Sequence, residues 1–420
     1  MRNIKTKLRR ESPTTLTLVN SPAPLTIFAN NQVLIEGNAV KELWDMMQCT
    51  EGIRKVVITP DFHKGAGIPV GTTILADRLL PKAIGNDIGC GMRLHYLGIR
   101  ASEIRSSLDV IIPKLRHMFF EGGRNIAMTP EQRGSLLRDG LVGLLDTVPQ
   151  RQMEGQWASF HKFAYRDADR VEQLGSTPTK EVKGFEDFIQ TVRDSQIGSI
   201  GGGNHFVELQ EILWSHDPYL IAGDVALMIH SGSVAIGRAA AQRESIDSIY
   251  NATNFAFGNR LFLALMAIDA LEIQEAKLVY DSPHNFVWCE GDLYLHRKGA
   301  CPARVGEPVI LPGSMGTTSY LLSGLGNDEA LCSSAHGAGR SMGRGAASAK
   351  LDVGELADLT VVLPIDLTRV RRDIVEKKNR ELLQEAPGAY KRIEPVVETL
   401  MEAGIASPVA AFKPILTMKA

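Results

Sequence analysis

Short runs of apolar, β-branched residues recur along this chain, and each ends in a glycine-rich or polar segment. Lys55 to Thr59 leads into Asp61-Phe62-His63-Lys64-Gly65, and Val225 to Ile229 into His230-Ser231-Gly232-Ser233. Lys277 to Tyr280 leads into Asp281-Ser282-Pro283-His284-Asn285, and Val309 to Leu311 into Pro312-Gly313-Ser314-Met315-Gly316. Runs of this kind predict strands, and polar residues at strand ends are where a rigid scaffold holds chemistry. A helix is predicted from Asn254 to Glu272, capped by its asparagine. Its body is almost continuously apolar (Leu261, Leu263, Leu265, Ile268), so it reads as core rather than site.

From about Ala101 to Asp194 the pattern changes to charged, helix-like stretches, Leu108 to Phe119 and Gln156 to Leu174, with no cluster of chemistry. This region reads as a helical insertion. No repeat, low-complexity tract or long linker divides the chain. The expectation is an α+β fold, a single large mixed domain over residues 1–420 with central sheets flanked by helices and an insertion at 101–194.

At 420 residues, 44% hydrophobic and 22% charged, the chain can bury a large core without disulfides. No apolar run approaches the roughly 20 residues that span a bilayer. The basic start (Arg2, Lys5, Lys7, Arg9, Arg10) is not followed by a secretory apolar core. No membrane partner is expected, and the location reads as cytoplasmic. Five cysteines (Cys49, Cys90, Cys289, Cys301, Cys332) without framework spacing suit a reducing compartment and leave a thiol for metal. A net charge of -2 excludes a generally basic nucleic-acid binder. Any RNA contact must be local, and the basic arm and the stretch Arg369, Arg371, Arg372, Lys377, Lys378, Arg380 are equally readable as solvated surface.

Candidate chemistry falls into two clusters. In Asp87-Ile88-Gly89-Cys90-Gly91, a carboxylate and a thiol three apart can be aimed at one point by the turn their glycines permit. Alone this is an ordinary turn. Three histidines in polar or glycine-rich surroundings, His205, His230 and His284, shift the reading toward a metal site. The mixed donors lack the spacing of common zinc motifs; manganese fits, zinc is not excluded, and spacing does not choose.

The second cluster is Pro312 to Tyr320 followed by Ser334-Ala335-His336-Gly337-Ala338-Gly339-Arg340. Its amides and hydroxyls can surround phosphate oxygens, with Arg340 or Arg344 as a charge clamp. It is neither a P-loop nor a dinucleotide fingerprint. For His336 the residues alone leave nucleophile, metal ligand and structural histidine level.

Together the segments DFHKGAGIPVG, IGNDIGCGMRL, GGGNHFVE, IHSGS, DSPHN, HRKGA, ILPGSMGTTSY, SAHGAGR and APGAYK, with Lys419 near the end, resemble the RtcB family of RNA ligases from about Val56 onward. The resemblance implies joining of RNA 3'-phosphate or 2',3'-cyclic phosphate ends to 5'-hydroxyl ends, with GTP and two Mn2+ ions per active site. It implies metal ligands Asp87, Cys90, His205, His230 and His284, and His336 as the residue that attacks GTP and carries GMP. It implies guanylate contacts at Asn204, His205, Phe206, Val207, Glu208, His284, Asn285, Pro312, Gly313, Ser314, Met315, Ser319, His336, Gly337, Ala338, Gly339, Tyr390 and Lys419. Glu208 and Lys419 would read guanine and the serine-rich loop would hold phosphates. An activating protein such as archease is a further partner the resemblance raises without deciding.

Three departures bear on substrate and rate rather than chemistry. The family's arginine after HSGS is Val234 here, its Ser-Arg after HGAGR is Gly343-Arg344, and its Lys-Gly ending is Lys419-Ala420. They raise a repair-type paralogue, with roles in tRNA splicing or RNA repair both left open. Two other functions stay open, a dinuclear metal phosphoesterase and a non-catalytic RNA-binding paralogue. Glu208 and Lys419 argue against the first and the full ligand set against the second.

Overall fold

The computed structural model describes residues 7–149, 154–191 and 196–420. Arg2 and Lys5 of the basic arm, and residues 150–153 and 192–194 of the expected insertion, lie outside this set. The fold is mixed α+β, and the chain packs as two compact units. One holds the chain up to Gly85, His284–Asp358 and Glu376–Ala411. The other holds Asn86–Pro283, Leu359–Val375 and Phe412–Ala420.

In the first unit a mixed sheet has at its middle the parallel pair Leu25–Phe28 and Ile53–His63, and the helix Gly37–Cys49 makes the crossover between them. That helix buries Val40, Leu43, Trp44 and Met47 in one apolar cluster with Val56, Ile58 and Ile74 of the sheet, which is what holds it there. Leu293–Lys298 pairs with Val70–Ala76, which pairs with Ile53–His63. The last ladder breaks between Ile58↔Thr72 and His63↔Val70, so Thr59 to Phe62 bulge out of register. A bulge re-aims side chains that a regular strand would send to alternate faces.

The second unit is organised by the helix Ile246–Ala270, 25 residues long and buried almost throughout. It starts eight residues before the predicted point. Its cap is Ser245, whose side chain accepts from Ser248 N, and not Asn254. Asn254 lies inside the helix, where its amide binds the Thr177 and Leu137 backbones, a tertiary partner that a cap assignment cannot foresee. Short polar and apolar helices from Ala101–Ser106 to Glu186–Gln190 fill the region read as an insertion, and Pro130–Thr147 packs on the buried helix. The stretch predicted as one helix from Gln156 to Leu174 is α-helical only over Trp157–Arg166.

The sheet of this unit runs in the order Phe412–Met418 (the end of strand Ala406–Met418), Phe206–Ser215, Asp224–Ser231, Gly91–Arg100, Lys277–Pro283. The strands are longer than predicted and take in His230, Ser231, Asp281 and Pro283. Among the described residues no helix is long and apolar enough to cross a membrane.

Candidate metal centre and nucleotide site

Strand register brings the first cluster together. Gly91 pairs with Ser231 on one side and Pro283 on the other, and Phe206 pairs with His230. Cys90 immediately precedes Gly91 and His205 immediately precedes Phe206, so three residues distant in sequence meet at one end of one sheet. The Asp87 turn reaches them because Gly89 has φ +71° and sits against the buried helix. A Cβ there would stand 2.8 Å from Thr253 Cα.

Sγ of Cys90 lies 3.2 Å from Nε2 of His205 and 3.2 Å from Nε2 of His230, and Oδ2 of Asp87 lies 2.8 Å from Nε2 of His205. Ligands bonded at roughly 2.0–2.3 Å to one tetrahedral cation stand about 3.5 Å apart. Oxygen, sulfur and nitrogen donors therefore already have the spacing of a shared divalent ion. Burial, and then the Asp87 carboxylate, push the Cys90 thiol well above its usual range. A cation would supply the charge needed to ionise it, so the donor set fits a metal. His284 follows Pro283 in the chain; within its own unit its ring packs edge-on against His336, with centroids 4.8 Å apart.

His336 follows the short strand Ser333–Ala335, which pairs with Ala300–Pro302. Its Nδ1 lies 2.6 Å from Oδ2 of Asp61, close but poorly aligned for a hydrogen bond, and its backbone N–H donates to the same oxygen at 3.2 Å. Asp61 comes from the bulge and is fully buried; Thr59 Oγ1 donates to its other oxygen at 2.5 Å. Burial raises the Asp61 carboxyl, but the His336 ring beside it and the hydrogen bond from Thr59 outweigh it and hold the carboxyl below the ordinary aspartate range. With Nδ1 turned to Asp61, Nε2 is the ring nitrogen left for chemistry. Gly339, at φ +73°, passes so close that a Cβ would stand 2.0 Å from the Asp61 carbonyl oxygen.

The glycine- and serine-rich loops sit in the same unit as His336. Ser319 Oγ accepts from Gly313 N at 3.1 Å, Ser314 and Thr317 hydroxyls are 3.0 Å apart, and Gly337 faces the Pro312 carbonyl. Asn285 Oδ1 accepts from Gly299 N at 2.8 Å. In the other unit Lys419 Nζ donates to Gly203 O at 2.7 Å, next to Asn204. Glu208 accepts from Thr417 Oγ1 at 2.7 Å and Gln210 Nε2 at 2.6 Å. Burial raises the Glu208 carboxyl despite these donors. The last strand thus brings the end of the chain to the GGGNHFVE segment.

The model of the family described as tRNA-splicing ligase RtcB matches residues 43–246 and 240–420. The chain belongs to the RtcB family. It is 32% identical to the RNA-splicing ligase RtcB2 of Escherichia coli over 95% of this chain and 96% of that one. It is 27% identical to the tRNA-splicing ligase RtcB of Thermococcus kodakarensis over 86% of each chain. To the RNA-splicing ligase RtcB of Mycobacterium bovis it is 28% identical over 87% of this chain and 97% of that one.

In this RtcB-family chain some residues read as a charge clamp are otherwise engaged. Arg340 contacts Glu385 at 3.3 Å and Tyr390 Oη at 3.1 Å, and Arg344 contacts Glu385 at 3.1 Å. Tyr390 donates its hydroxyl to Glu385, and burial pushes that hydroxyl above its usual range. On the basic stretch Arg369, Arg371 and Lys378 pair with Asp366, Asp373 and Glu381. In the N-terminal arm Lys7 lies over the Trp44 ring and Arg9 pairs with Glu11. Val234 opens the helix Val234–Ala241 at φ +51°, a left-handed conformation that strains a β-branched residue.

Sequence reasoning gave Asp61 no role. Asp61 opens the DFHKGAG segment, and nothing in that segment alone shows that a bulge turns it toward His336. The other omission is the pair Asn259 and Arg260 in the helix read as pure core, where two polar residues in an apolar run were the available signal.

Proposed function

We propose that this RtcB-family enzyme is an RNA ligase that uses GTP and manganese to join RNA 3'-phosphate or 2',3'-cyclic phosphate ends to 5'-hydroxyl ends, with His336 as the nucleotide carrier. The observation that carries the reading is the His336–Asp61 pair. A buried carboxylate against Nδ1 fixes the ring and favours the positive charge that grows on it as Nε2 attacks phosphorus. Two manganese ions, held in this reading by Asp87, Cys90, His205, His230 and His284, would when bound neutralise the phosphates at the reacting centre.

His336 Nε2 attacks the α-phosphorus of GTP; a P–N bond forms and the bond to pyrophosphate breaks. The Asp61 carboxylate holds the ring through this step. A cyclic phosphate end is first hydrolysed to a 3'-phosphate. An oxygen of the 3'-phosphate then displaces His336 and takes the GMP. The 5'-hydroxyl finally attacks that activated end, forming the phosphodiester and releasing GMP.

Glu208 and Lys419 are the guanine-reading residues. A carboxylate accepts about four hydrogen bonds, so Glu208 keeps capacity beyond Thr417 and Gln210. Asn204, His205, Phe206 and Val207 would line the nucleotide, as would His284, Asn285, Gly337, Ala338, Gly339 and Tyr390. Pro312, Gly313, Ser314, Met315 and Ser319 would hold phosphates. Val234 in place of the family's arginine removes a contact to an RNA phosphate, and the RNA joined is a tRNA splicing intermediate or a repair substrate. The test is incubation of purified protein with manganese and GTP labelled in the α-phosphate. Acid-labile label on the peptide containing His336 supports the reading; no label overturns it and leaves a metal phosphoesterase.

A further inference from the structure

The helix Ile246–Ala270 carries two fully buried polar residues side by side, Asn259 and Arg260. A buried guanidinium is costly unless its charge and hydrogen bonds are answered. Here the charge is answered by Asp281, and Nη1 is answered by the turns that bear the candidate metal ligands. Nη1 of Arg260 donates to the carbonyl of Gly89 at 2.7 Å and to that of Ser231 at 3.1 Å. Gly89 stands between Asp87 and Cys90, and Ser231 follows His230. Nε and Nη2 of the same guanidinium each lie 2.8 Å from Oδ1 of Asp281, on the strand that ends at Pro283. One rigid planar group thus spans three of the chain segments that meet at the centre.

Asn259 adds the fourth. Its Nδ2 donates to Ser199 O, Ser231 Oγ and Gly232 O, each at 3.0 Å, and its Oδ1 accepts from Ser199 N at 3.1 Å. Ser199 opens the glycine-rich approach to His205. None of these contacts is made by a candidate ligand side chain; those to Gly89, Ser199, Ser231 O and Gly232 fix the backbone on which the candidate ligands are mounted, and those to Asp281 and Ser231 Oγ hold side chains of the neighbouring strands.

We propose that Arg260 and Asn259 are positioning residues for the divalent-cation site, setting the separation of the Asp87/Cys90 turn, the His205 approach and the His230 strand end. The proposal rests on the metal reading above. Orienting groups behind metal ligands change affinity by roughly 10–100-fold when removed. Arg93 is the internal comparison: equally buried, with Nη1 on Oδ2 of Asp281 at 2.9 Å and Nε on His95 at 2.8 Å, its hydrogen bonds avoid both ligand-bearing turns.

The experiment titrates metal-stripped full-length protein with Co2+ under argon, reading the thiolate-to-cobalt charge-transfer band and the dissociation constant, with far-ultraviolet circular dichroism on each apo variant. Arg260→Lys keeps the charge but cannot span two carbonyls. It should weaken Co2+ binding about tenfold or more and shift the band. Arg93→Lys should leave both within about twofold of wild type while lowering the apo melting temperature. Asn259→Ala, a smaller change that decides the matter if Arg260→Lys does not fold, should also weaken and shift the band. A wild-type band left unchanged by Arg260→Lys or by Asn259→Ala overturns the proposal alone, as does an equal loss in Arg93→Lys. No thiolate band in the wild type overturns the metal reading and this proposal together.

Discussion

Nδ1 of His336 lies 2.6 Å from Oδ2 of Asp61, although 275 residues separate them. The bulge in Ile53–His63 takes Asp61 off the ladder and toward the residue after Ala335. In the proposed reaction a carboxylate so placed has two roles, holding the imidazole and balancing the positive charge that builds on it as Nε2 attacks. Both depend on the negative charge.

Replacing that charge while keeping the shape should therefore expose its contribution. Asp61→Asn should fold and bind GTP, yet attach GMP to His336 about 100-fold more slowly, and His336→Ala should not attach it at all. Single-turnover label transfer measures both. A rate in Asp61→Asn within about twofold of wild type would remove Asp61 from the mechanism.

The same pair predicts a pH dependence of stability. The folded Asp61 carboxyl is held below its ordinary value, so the unfolded chain takes up a proton at higher pH than the folded one. This contribution is fully present above the ordinary aspartate range, about 3.9, and is lost as pH falls below it through the folded value. Denaturant midpoints from pH 6 down to pH 3 should fall less steeply for Asp61→Asn than for wild type. Parallel curves would contradict this sign.

Metal removal should be visible as lost stability. Anything bound only by the folded state raises its apparent stability by mass action. Manganese added to chelator-stripped protein should raise the melting temperature, and Cys90→Ser should abolish most of the rise while changing the stripped protein little. An equal rise in Cys90→Ser would exclude Cys90 as a ligand.

Gly339 leaves no room for a side chain beside Asp61. Gly339→Ala combines a left-handed backbone with a Cβ 2.0 Å from the Asp61 carbonyl, and should destabilise the protein by about 2 kcal/mol or more. It should also slow GMP attachment, since the loop that yields carries His336. Chemical denaturation and label transfer check the two effects separately.

Val234 is strained where it stands. Relief of the left-handed β-branched conformation should let Val234→Gly gain about 1 kcal/mol, the net after glycine's greater unfolded freedom. A lowered denaturation midpoint would mean that the valine side chain contributes more than its backbone strain costs.

The sequence by itself determined the parts list. Apolar runs ending in polar segments located strands at Ile53–His63, Asp224–Ser231, Lys277–Pro283 and Pro308–Leu311, because burial of β-branched residues is a local property of composition. It also supplied Asp87, Cys90, His205, His230 and His284 as candidate metal donors, because donor chemistry belongs to the residue and not to the fold.

Only the tertiary structure decided which of these parts meet. The pairing of Gly91 with both Ser231 and Pro283 brings Cys90 and His230 together across 140 residues, and nothing local in either strand encodes its partner. The bulge that delivers Asp61 to His336 is likewise a property of a ladder and not of a strand. The helix Ile246–Ala270 shows the same limit. Its apolar pattern fixed that it would be buried, but that Asn259 and Arg260 would hydrogen-bond the backbone at Gly89, Ser199, Ser231 and Gly232 depended on what was packed against it.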